Sequence, residues 1–363
     1  MKIAYLGQMA NVADENSISK KIRSQTNTWQ LLGHSVRYFA LASTANVWDG
    51  LSHTEPLILL KRGPWQWASH SLQLCNHIRQ WHPDIIYLRY ANHAPGLKSL
   101  FKSIPTVAEI NSDDTTEYAL TLSPCKNLYH RFTRNRAFSS ISALLPVTNE
   151  LSARLECFHK PTLTIGNSIN LSDFPHQTNT PTKNISLVFI GSHGAPWHGL
   201  DRMAELLNLF PSITIDLIGY TSEEWTREKL PPSGNRLRLH GSLTRSNYEL
   251  LLAHATAAIG TLGLFRKQMD EACPLKVREY LALGLPVIGA YIDTDIPSDA
   301  DYFLRLPNNS EPLAPWRDRI AAFIEHWRTR RVPRTAIAHL DVSVKEAQRL
   351  AFMEKILAAS RHA

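Results

Sequence analysis

Cysteine is sparse in this sequence. The four residues, Cys75, Cys125, Cys157 and Cys273, stand far apart with no Cys-x-x-Cys pair. That spacing excludes a disulfide framework and a zinc ribbon, and it suits the reduced, mostly buried thiols of a cytoplasmic protein. Long apolar runs are missing too. The charge-free stretch 280–292 contains Gly284, Pro286 and Gly289, and it falls short of the about 20 residues that span a bilayer. The apolar opening Met1-Lys2-Ile3-Ala4-Tyr5-Leu6-Gly7 is too short for a signal-peptide core and reads as a buried first strand. There are no internal repeats and no low-complexity tracts. With 363 residues, 44% apolar and 20% charged, the chain has an ordinary globular composition and is too long for one core. Lys plus Arg number 39 against 32 for Asp plus Glu. The resulting charge of +7 favours anionic partners (phosphate, nucleic acid or an acidic leaflet) without choosing among them.

Two nucleotide signatures are also absent. A dinucleotide fold needs Gly-x-Gly-x-x-Gly after its first strand and an acid ending the second. Here the first strand runs into Gly7-Gln8-Met9-Ala10-Asn11 and the second ends Phe39-Ala40-Leu41-Ala42, and no Walker lysine loop occurs. What is present is an alternation of short β-branched or aromatic runs with helical periods, the mark of parallel α/β units. Strands are predicted over 2–7, 35–41, 84–89, 105–110 and 143–147, with helices over 18–32, 68–81, 96–102 and 125–139. The pattern resumes with strands over 185–190, 213–218, 236–240, 257–260 and 286–290. Its helices cover 200–209, 245–254, 274–283, 314–330 and 344–359. Between the halves, 160–183 carries Pro161, Pro175, Pro181 and many Thr, Asn and Ser, as a connection would. The reading is a first domain over 1–167, a linker over 168–183 and a second domain over 184–340. The last helix, 341–363, is expected to cross back to the first domain.

Two segments of the second half carry candidate chemistry. The loop Gly191-Ser192-His193-Gly194-Ala195-Pro196-Trp197-His198-Gly199 joins a strand to a helix and can bring backbone N–H groups to a phosphate. Further on, Glu271 precedes a helix opened by Pro274 and stopped at Gly284, and Glu279 lies within it. The N–H groups near Leu275 and Lys276, with the Lys276 ammonium, would face an anion between two carboxylates able to bind hydroxyls. A nucleotide-linked sugar has those parts.

Glu271-x7-Glu279 followed by Tyr-Leu-Ala-Leu-Gly-Leu-Pro-Val-Ile resembles the signature of retaining glycosyltransferases of the GT-B fold, family 4. The opening strand with Gly33-His34-Ser35-Val36, the joining segment Ile165-Gly166-Asn167-Ser168-Ile169-Asn170-Leu171, and Leu187–Gly191 with Trp197-His198-Gly199-Leu200 are similar to the same family in the same order. The resemblance implies two Rossmann-like parallel α/β domains facing across a cleft. It implies Glu279 on the ribose hydroxyls and Glu271 on the donor sugar. The N–H groups of Cys273, Leu275 and Lys276 would receive the distal phosphate, and Gly7 and Gly191 would lie beside the diphosphate. His240 and Gly241 would line the base pocket. It further implies transfer from a nucleoside-diphosphate-sugar to a glycan or lipid-linked hydroxyl, as in bacterial surface polysaccharide or glycolipid synthesis, with no metal and no other cofactor.

The sequence departs from that pattern in two places. Many relatives carry an Arg and a Lys where His193 and His198 stand. Neutral imidazoles lack the fixed charge, which shifts work onto Lys276. Many also carry a first-domain histidine after the fourth strand, where this chain reads Ala108-Glu109-Ile110-Asn111-Ser112-Asp113-Asp114. Glu109, Asn111 and Asp113 are the acceptor-facing candidates there. These departures keep two alternatives open, a nucleotide-sugar epimerase of the same fold and a catalytically silent glycan- or membrane-binding relative. Asp293-Thr294-Asp295 matches a metal-binding motif of the other large glycosyltransferase fold, but its place after the Glu271–Glu279 helix reads as a capped loop. Two basic clusters, Lys126, Arg131, Arg134 and Arg136, and Arg328, Arg330, Arg331 and Arg334, read as solvated faces or as points of peripheral contact with an anionic membrane at its inner face. Without interleaved stacking aromatics or a binding motif, no nucleic-acid partner is expected.

Overall fold

The computed structural model describes residues 1–7, 16–44, 46–175, 185–228, 230 and 234–361. The chain divides into two compact units, Met1–Asn170 with Asp341–Ala363, and Leu171–Leu340. The loop residues Gln8 to Asn11 and positions 176–183 of the expected linker lie outside the described residues.

The first unit runs β1 (Lys2–Gly7), α1 (Ser17–Leu31), β2 (Ser35–Ala42), β3 (Leu57–Leu60), α2 (Gly63–Trp81), β4 (Ile85–Arg89), α3 (Leu97–Ser103), β5 (Thr106–Ile110), α4 (Asp114–Thr121), α5 (Pro124–Ser140), β6 (Ala143–Pro146) and α6 (Asn149–Leu155). Its six strands are parallel in the order β3-β2-β1-β4-β5-β6. Buried on both faces, they read as near-continuous apolar runs rather than alternating ones. Ile3, Tyr5, Tyr38 and Tyr87 pack on Ile22 and Trp29 of α1, while Leu6, Phe39 and Leu88 pack on Leu74, Phe101 and Phe138 of the opposite helices. The four-residue edge strand β3 and the short α4 and α6 were not predicted.

The second unit runs β7 (Ile185–Ile190), α7 (Leu200–Leu209), β8 (Ile213–Ile218), α8 (Ser222–Arg227), β9 (Leu237–Leu239), α9 (Arg245–His254), β10 (Ala257–Ile259), α10 (Leu275–Ala282), β11 (Val287–Gly289), β12 (Phe303–Arg305) and α11 (Arg317–Trp327). It repeats the parallel sheet as β12-β11-β10-β7-β8-β9. From β7 the chain winds outward through β8 and β9, and from β10 the other way. The gap between the carboxyl ends of β7 and β10 is therefore a topological switch point, the usual crevice for ligands in such sheets. In the first unit the corresponding gap lies between β1, ending at Gly7, and β4.

The final helix, α12 (Val342–Arg361), belongs to the first unit. Its wholly buried Glu346 accepts from Trp29 Nε1 at 2.9 Å and from Ser168 Oγ at 3.0 Å. Arg349 donates to the Gly166 carbonyl at 2.7 Å. Apolar side chains of the same helix, Leu350, Met353 and Ile356, join the core on the α1 side.

Candidate functional site

In the second unit, α10 lies between β10 and β11 with its N-terminal turn at the switch point. Pro274 is the residue before that turn, extended at φ −72°, ψ 135°, rather than inside it. The first-turn N–H groups of Leu275 and Lys276 have no intrahelical acceptors, and the N-cap residue, Pro274, makes no side-chain cap to them. At the other end Gly284, at φ +79°, closes the helix: Leu285 N–H bonds to the Tyr280 carbonyl at 2.9 Å and Gly284 N–H to that of Leu281 at 2.9 Å.

Lys276 and Tyr280, one turn apart, grip the end of β7. The Tyr280 hydroxyl accepts from Ile190 N–H at 2.7 Å, and Lys276 Nζ donates to the Ile190 carbonyl at 3.0 Å. The ammonium also lies 3.8 Å from the centre of the Phe189 ring. Burial lowers the Lys276 pKa to about 7. Glu279, on the same helix, is buried at 4% exposure and accepts from Tyr248 Oη of α9 at 3.1 Å. Glu271 sits just before the turn, half-buried and paired in a single parallel bridge with Ile292. The two glutamates thus bracket the turn, one before it and one inside the helix that follows.

The glycine loop follows β7. Gly191 must stay close to Gly219 at the end of β8: a Cβ on Gly219, which sits at φ +88°, would lie 1.9 Å from the Gly191 carbonyl oxygen. That approach leaves no room for a side chain at Gly219 and keeps the two strand ends together. His198 and His193, paired in the sequence reading, go separate ways. His193 is exposed, 3.7 Å from Glu228. His198 is half-buried, its Nδ1 2.8 Å from Tyr220 Oη, and that hydroxyl donates to the Ser192 carbonyl at 2.6 Å. One hydroxyl proton serves one acceptor, so Nδ1 carries the hydrogen and Nε2 is the bare acceptor. Burial, with Lys276 and Lys267 adding to it, holds the His198 pKa well below its usual value. The imidazole is neutral, and the basic side chains nearby are the two lysines.

His240, after β9, places Nε2 2.7 Å from Asp216 Oδ1, a buried carboxylate that also accepts from Ser186 Oγ at 2.8 Å. Gly241 follows with its carbonyl bonded to Gly219 N–H at 2.6 Å, beside the Gly191 loop.

Cys273, Asp293 and Asp295 hold ligand-type atoms within 4.8 Å of one another. All three face Arg278, wholly buried, which donates to both oxygens of Asp293 at 2.8 Å, to Asp295 at 3.1 Å and to Cys273 Sγ at 2.7 Å. The guanidinium already supplies the positive charge that this donor set would offer a metal, so these residues do not fit a metal ion as they stand.

In the first unit, Gly7 ends β1 at the switch point, with the Tyr38 ring so close that a Cβ would lie 2.6 Å from its hydroxyl. Glu109 has no exposed surface. It takes Lys21 at 2.7 Å, Tyr87 at 2.6 Å, Arg89 at 2.8 Å and Asn111 at 2.7 Å. Those cations hold its carboxyl far below the usual range against burial, which alone would raise it. Burial lowers Lys21 to about 8 although Glu109 opposes it. Asp113 is the N-cap of α4. Burial would raise its pKa, but hydrogen bonds from Thr115, Thr116 and Arg154 bring it down to about 2. Of the three acceptor candidates, Asn111 alone is half-exposed, its amide bonded to Glu109.

Sequence reasoning missed Tyr248, Tyr280, Tyr220 and Arg278. Tyr248 lies 31 positions from Glu279 and Tyr280 lies 90 from Ile190, and no local spacing signals pairs so distant.

No protein-family model and no curated protein matches the chain. Solved structures do match it along nearly its whole length. A glycosyltransferase from Rickettsia africae is 15% identical, with 98% of each chain covered and a TM-score of 0.65. The lipopolysaccharide outer core galactosyltransferase WaaB is 10% identical over 98% of this chain and 100% of its own, TM-score 0.67. Anabaena HepE, in complex with UDP-glucose, is 14% identical over 98% and 100%, TM-score 0.64. Two six-stranded parallel sheets, each flanked by helices and ordered alike about a central switch point, together with this likeness, make the architecture that of the GT-B fold.

Proposed function

We propose that this chain is a retaining glycosyltransferase that moves a sugar from a nucleoside-diphosphate-sugar to a hydroxyl acceptor. The observation that carries the reading is the turn before α10: Glu271 and Glu279 bracket two uncapped N–H groups and the Lys276 ammonium at the switch point of the second unit. Glu279 is assigned the ribose hydroxyls, Glu271 the donor-sugar hydroxyls, and the N–H groups of Cys273, Leu275 and Lys276 the distal phosphate. His240 and Gly241 are assigned to the base. In the transfer, the bond from the anomeric carbon to the phosphate oxygen breaks and one to the acceptor oxygen forms on the same face. The acceptor proton passes to the departing diphosphate. Charge gathers on that diphosphate, and stabilising it with preorganised N–H groups and a cation is the kind of electrostatic contribution that dominates such catalysis. No metal is assigned, since Arg278 engages the carboxylates that would bind one.

HepE, seen with UDP and with UDP-glucose, makes uridine diphosphate the first probe, and WaaB supports an acceptor on a surface glycolipid. The first unit is assigned to that acceptor, with Asn111, Glu109 and Asp113 as its candidates, while Gly7 is assigned to the diphosphate. A thermal-shift series with UDP, ADP, GDP and dTDP tests the donor site. Saturation at about 100 times Kd adds roughly 2.7 kcal/mol of stability. A shift with one diphosphate supports the reading, and no shift with any of them removes it. Sugar epimerised and diphosphate released without acceptor would point to an epimerase instead.

A further inference from the structure

Glu109 belongs to a larger buried charge cluster of the first unit. Two carboxylates, Glu109 and Glu346, face three cations, Lys21, Arg89 and Arg349. The Tyr87 hydroxyl donates to Glu109 at 2.6 Å, and Gln25 Nε2 reaches that hydroxyl at 3.5 Å and Glu346 at 3.4 Å, so one chain of contacts joins both acids. Arg349 pairs with Glu346, while Lys21 and Arg89 meet the same oxygen of Glu109 at 2.7 and 2.8 Å. Burial lowers Lys21 only to about 8, so at pH 7 the amine is mostly protonated. The cations outnumber the carboxylates by one.

That excess reaches the surface at one place. The side chains of Lys21 and Arg349 are 1% and 0% exposed, whereas that of Arg89 is 14% exposed. Arg89 is the last residue of β4, and the register that pairs Leu6 with Leu88 sets it level with Gly7, at the switch point of the first sheet. Among the described residues only its Nη1 is engaged, by Glu109, and the Nε–Nη2 edge has no acceptor. Asn111, half-exposed after β5, donates through Nδ2 to that same Glu109 oxygen at 2.7 Å and keeps a second amide hydrogen. The next acids along the chain, Asp113 and Asp114, are taken by Arg154 and Arg134. Glu109 thus holds two donors side by side and is itself covered.

We propose that Arg89, with Asn111 beside it, is an anion-binding subsite for a phosphate group of the substrate. The open guanidinium edge matches two phosphate oxygens. A carboxylate would be used up by that edge, whereas a phosphate has a further oxygen for Asn111. Two sources carry this chemistry: a phosphate on the acceptor, of a sugar or a lipid, and the diphosphate of the donor. The subsite adds a charge to the acceptor reading and rests on that reading only for the source of the phosphate.

Phosphorus-31 NMR titration of glycerol 3-phosphate into the full chain, with and without saturating UDP, tests it. Saturable binding is expected in both conditions. Arg89→Gln should weaken it about tenfold or more, the loss expected of one charge-assisted pair. Arg89→Lys should lie between wild type and Arg89→Gln, Asn111→Ala should bind about threefold more weakly, and Arg136→Gln on the exposed face of α5 should match wild type. Melting curves report folding, and if Arg89→Gln does not fold, Arg89→Lys and Asn111→Ala carry the test. Calorimetric titration of UDP into the same variants identifies the source. Unchanged UDP affinity in Arg89→Gln assigns the phosphate to the acceptor. A tenfold loss of UDP affinity, with no binding of glycerol 3-phosphate to wild type, assigns it to the donor. Equal affinity of all variants for both ligands, or binding of glucuronate in preference to glycerol 3-phosphate, would overturn the proposal. Binding of glycerol 3-phosphate through Arg89 by a chain that takes no nucleoside diphosphate would support the subsite and count against the donor site.

Discussion

The Lys276 ammonium donates to the carbonyl of Ile190 at 3.0 Å, holding the end of β7 against the helix whose N-terminal turn faces the switch point. The charge is poised rather than permanent, because burial brings its pKa to about 7. A bound diphosphate favours the protonated amine. Affinity for the diphosphate should therefore be greatest below pH 7 and decline as pH rises through 7 toward 9. Titration calorimetry at pH 6.5, 7.5 and 8.5 reads this directly. Lys276→Met should weaken binding about tenfold or more at pH 6.5 and flatten the decline. A decline unchanged in the variant would place the titrating group elsewhere.

His198 is expected to stay neutral, with hydrogen on Nδ1. Nitrogen-15 NMR should find that tautomer in the free protein, with protonation appearing only well below the usual histidine range. Tyr220→Phe removes the hydroxyl that selects it and should let the other tautomer appear. A protonated His198 at pH 7 would mean that the histidine does replace the missing lysine charge.

Glu271 is assigned to the sugar, so Glu271→Gln should lower kcat while leaving Kd for the bare nucleoside diphosphate within about threefold of wild type. Turnover of donor, read as released diphosphate in the presence of acceptor, separates the two. Full activity in the variant would remove Glu271 from the site.

Two buried ion pairs should dominate single-site stability. Asp293→Ala takes from the buried Arg278 guanidinium the carboxylate that meets it with both oxygens, and Lys21→Met leaves Glu109 with fewer cations. Breaking one partner of such a pair costs about 3–5 kcal/mol. Urea unfolding should show losses of that order for both, against less than about 1 kcal/mol for Arg328→Ala at the surface. A near-neutral Asp293→Ala would mean that Arg278 is held by its other partners.

The helix α7 and the strand β8 begin and end where the sequence puts them. Their signals are local: an apolar period, then a Gly or Pro that ends it. The edge strand β3 escaped because four residues followed by Lys61-Arg62-Gly63-Pro64 carry too little period. Glu271, Glu279 and Lys276 were legible because one short segment holds all three. Arg278, between them in sequence, looked like a spacer, and only its burial against Asp293 gives it a role. Asp113 was one of three acceptor-facing candidates, and the hydrogen bonds it accepts from Thr115 and Thr116 also make it a helix cap, a role the sequence did not separate from the other. Side chains that serve the backbone and side chains that serve a ligand are the same residue types, so sequence alone does not separate them.

Glu279 is the most direct test of the donor site, since it is assigned to the nucleotide itself. Titration of UDP into wild type and Glu279→Ala, with Tyr248→Phe as a control for the lost hydroxyl contact, isolates that role. Losing a charged hydrogen-bond acceptor costs about 1.5–3 kcal/mol. The expected result is a Kd roughly ten- to hundredfold weaker for Glu279→Ala and less than about fivefold weaker for Tyr248→Phe, with melting curves confirming that both variants fold. Wild-type affinity in Glu279→Ala would contradict the assignment of this turn to a nucleotide-sugar.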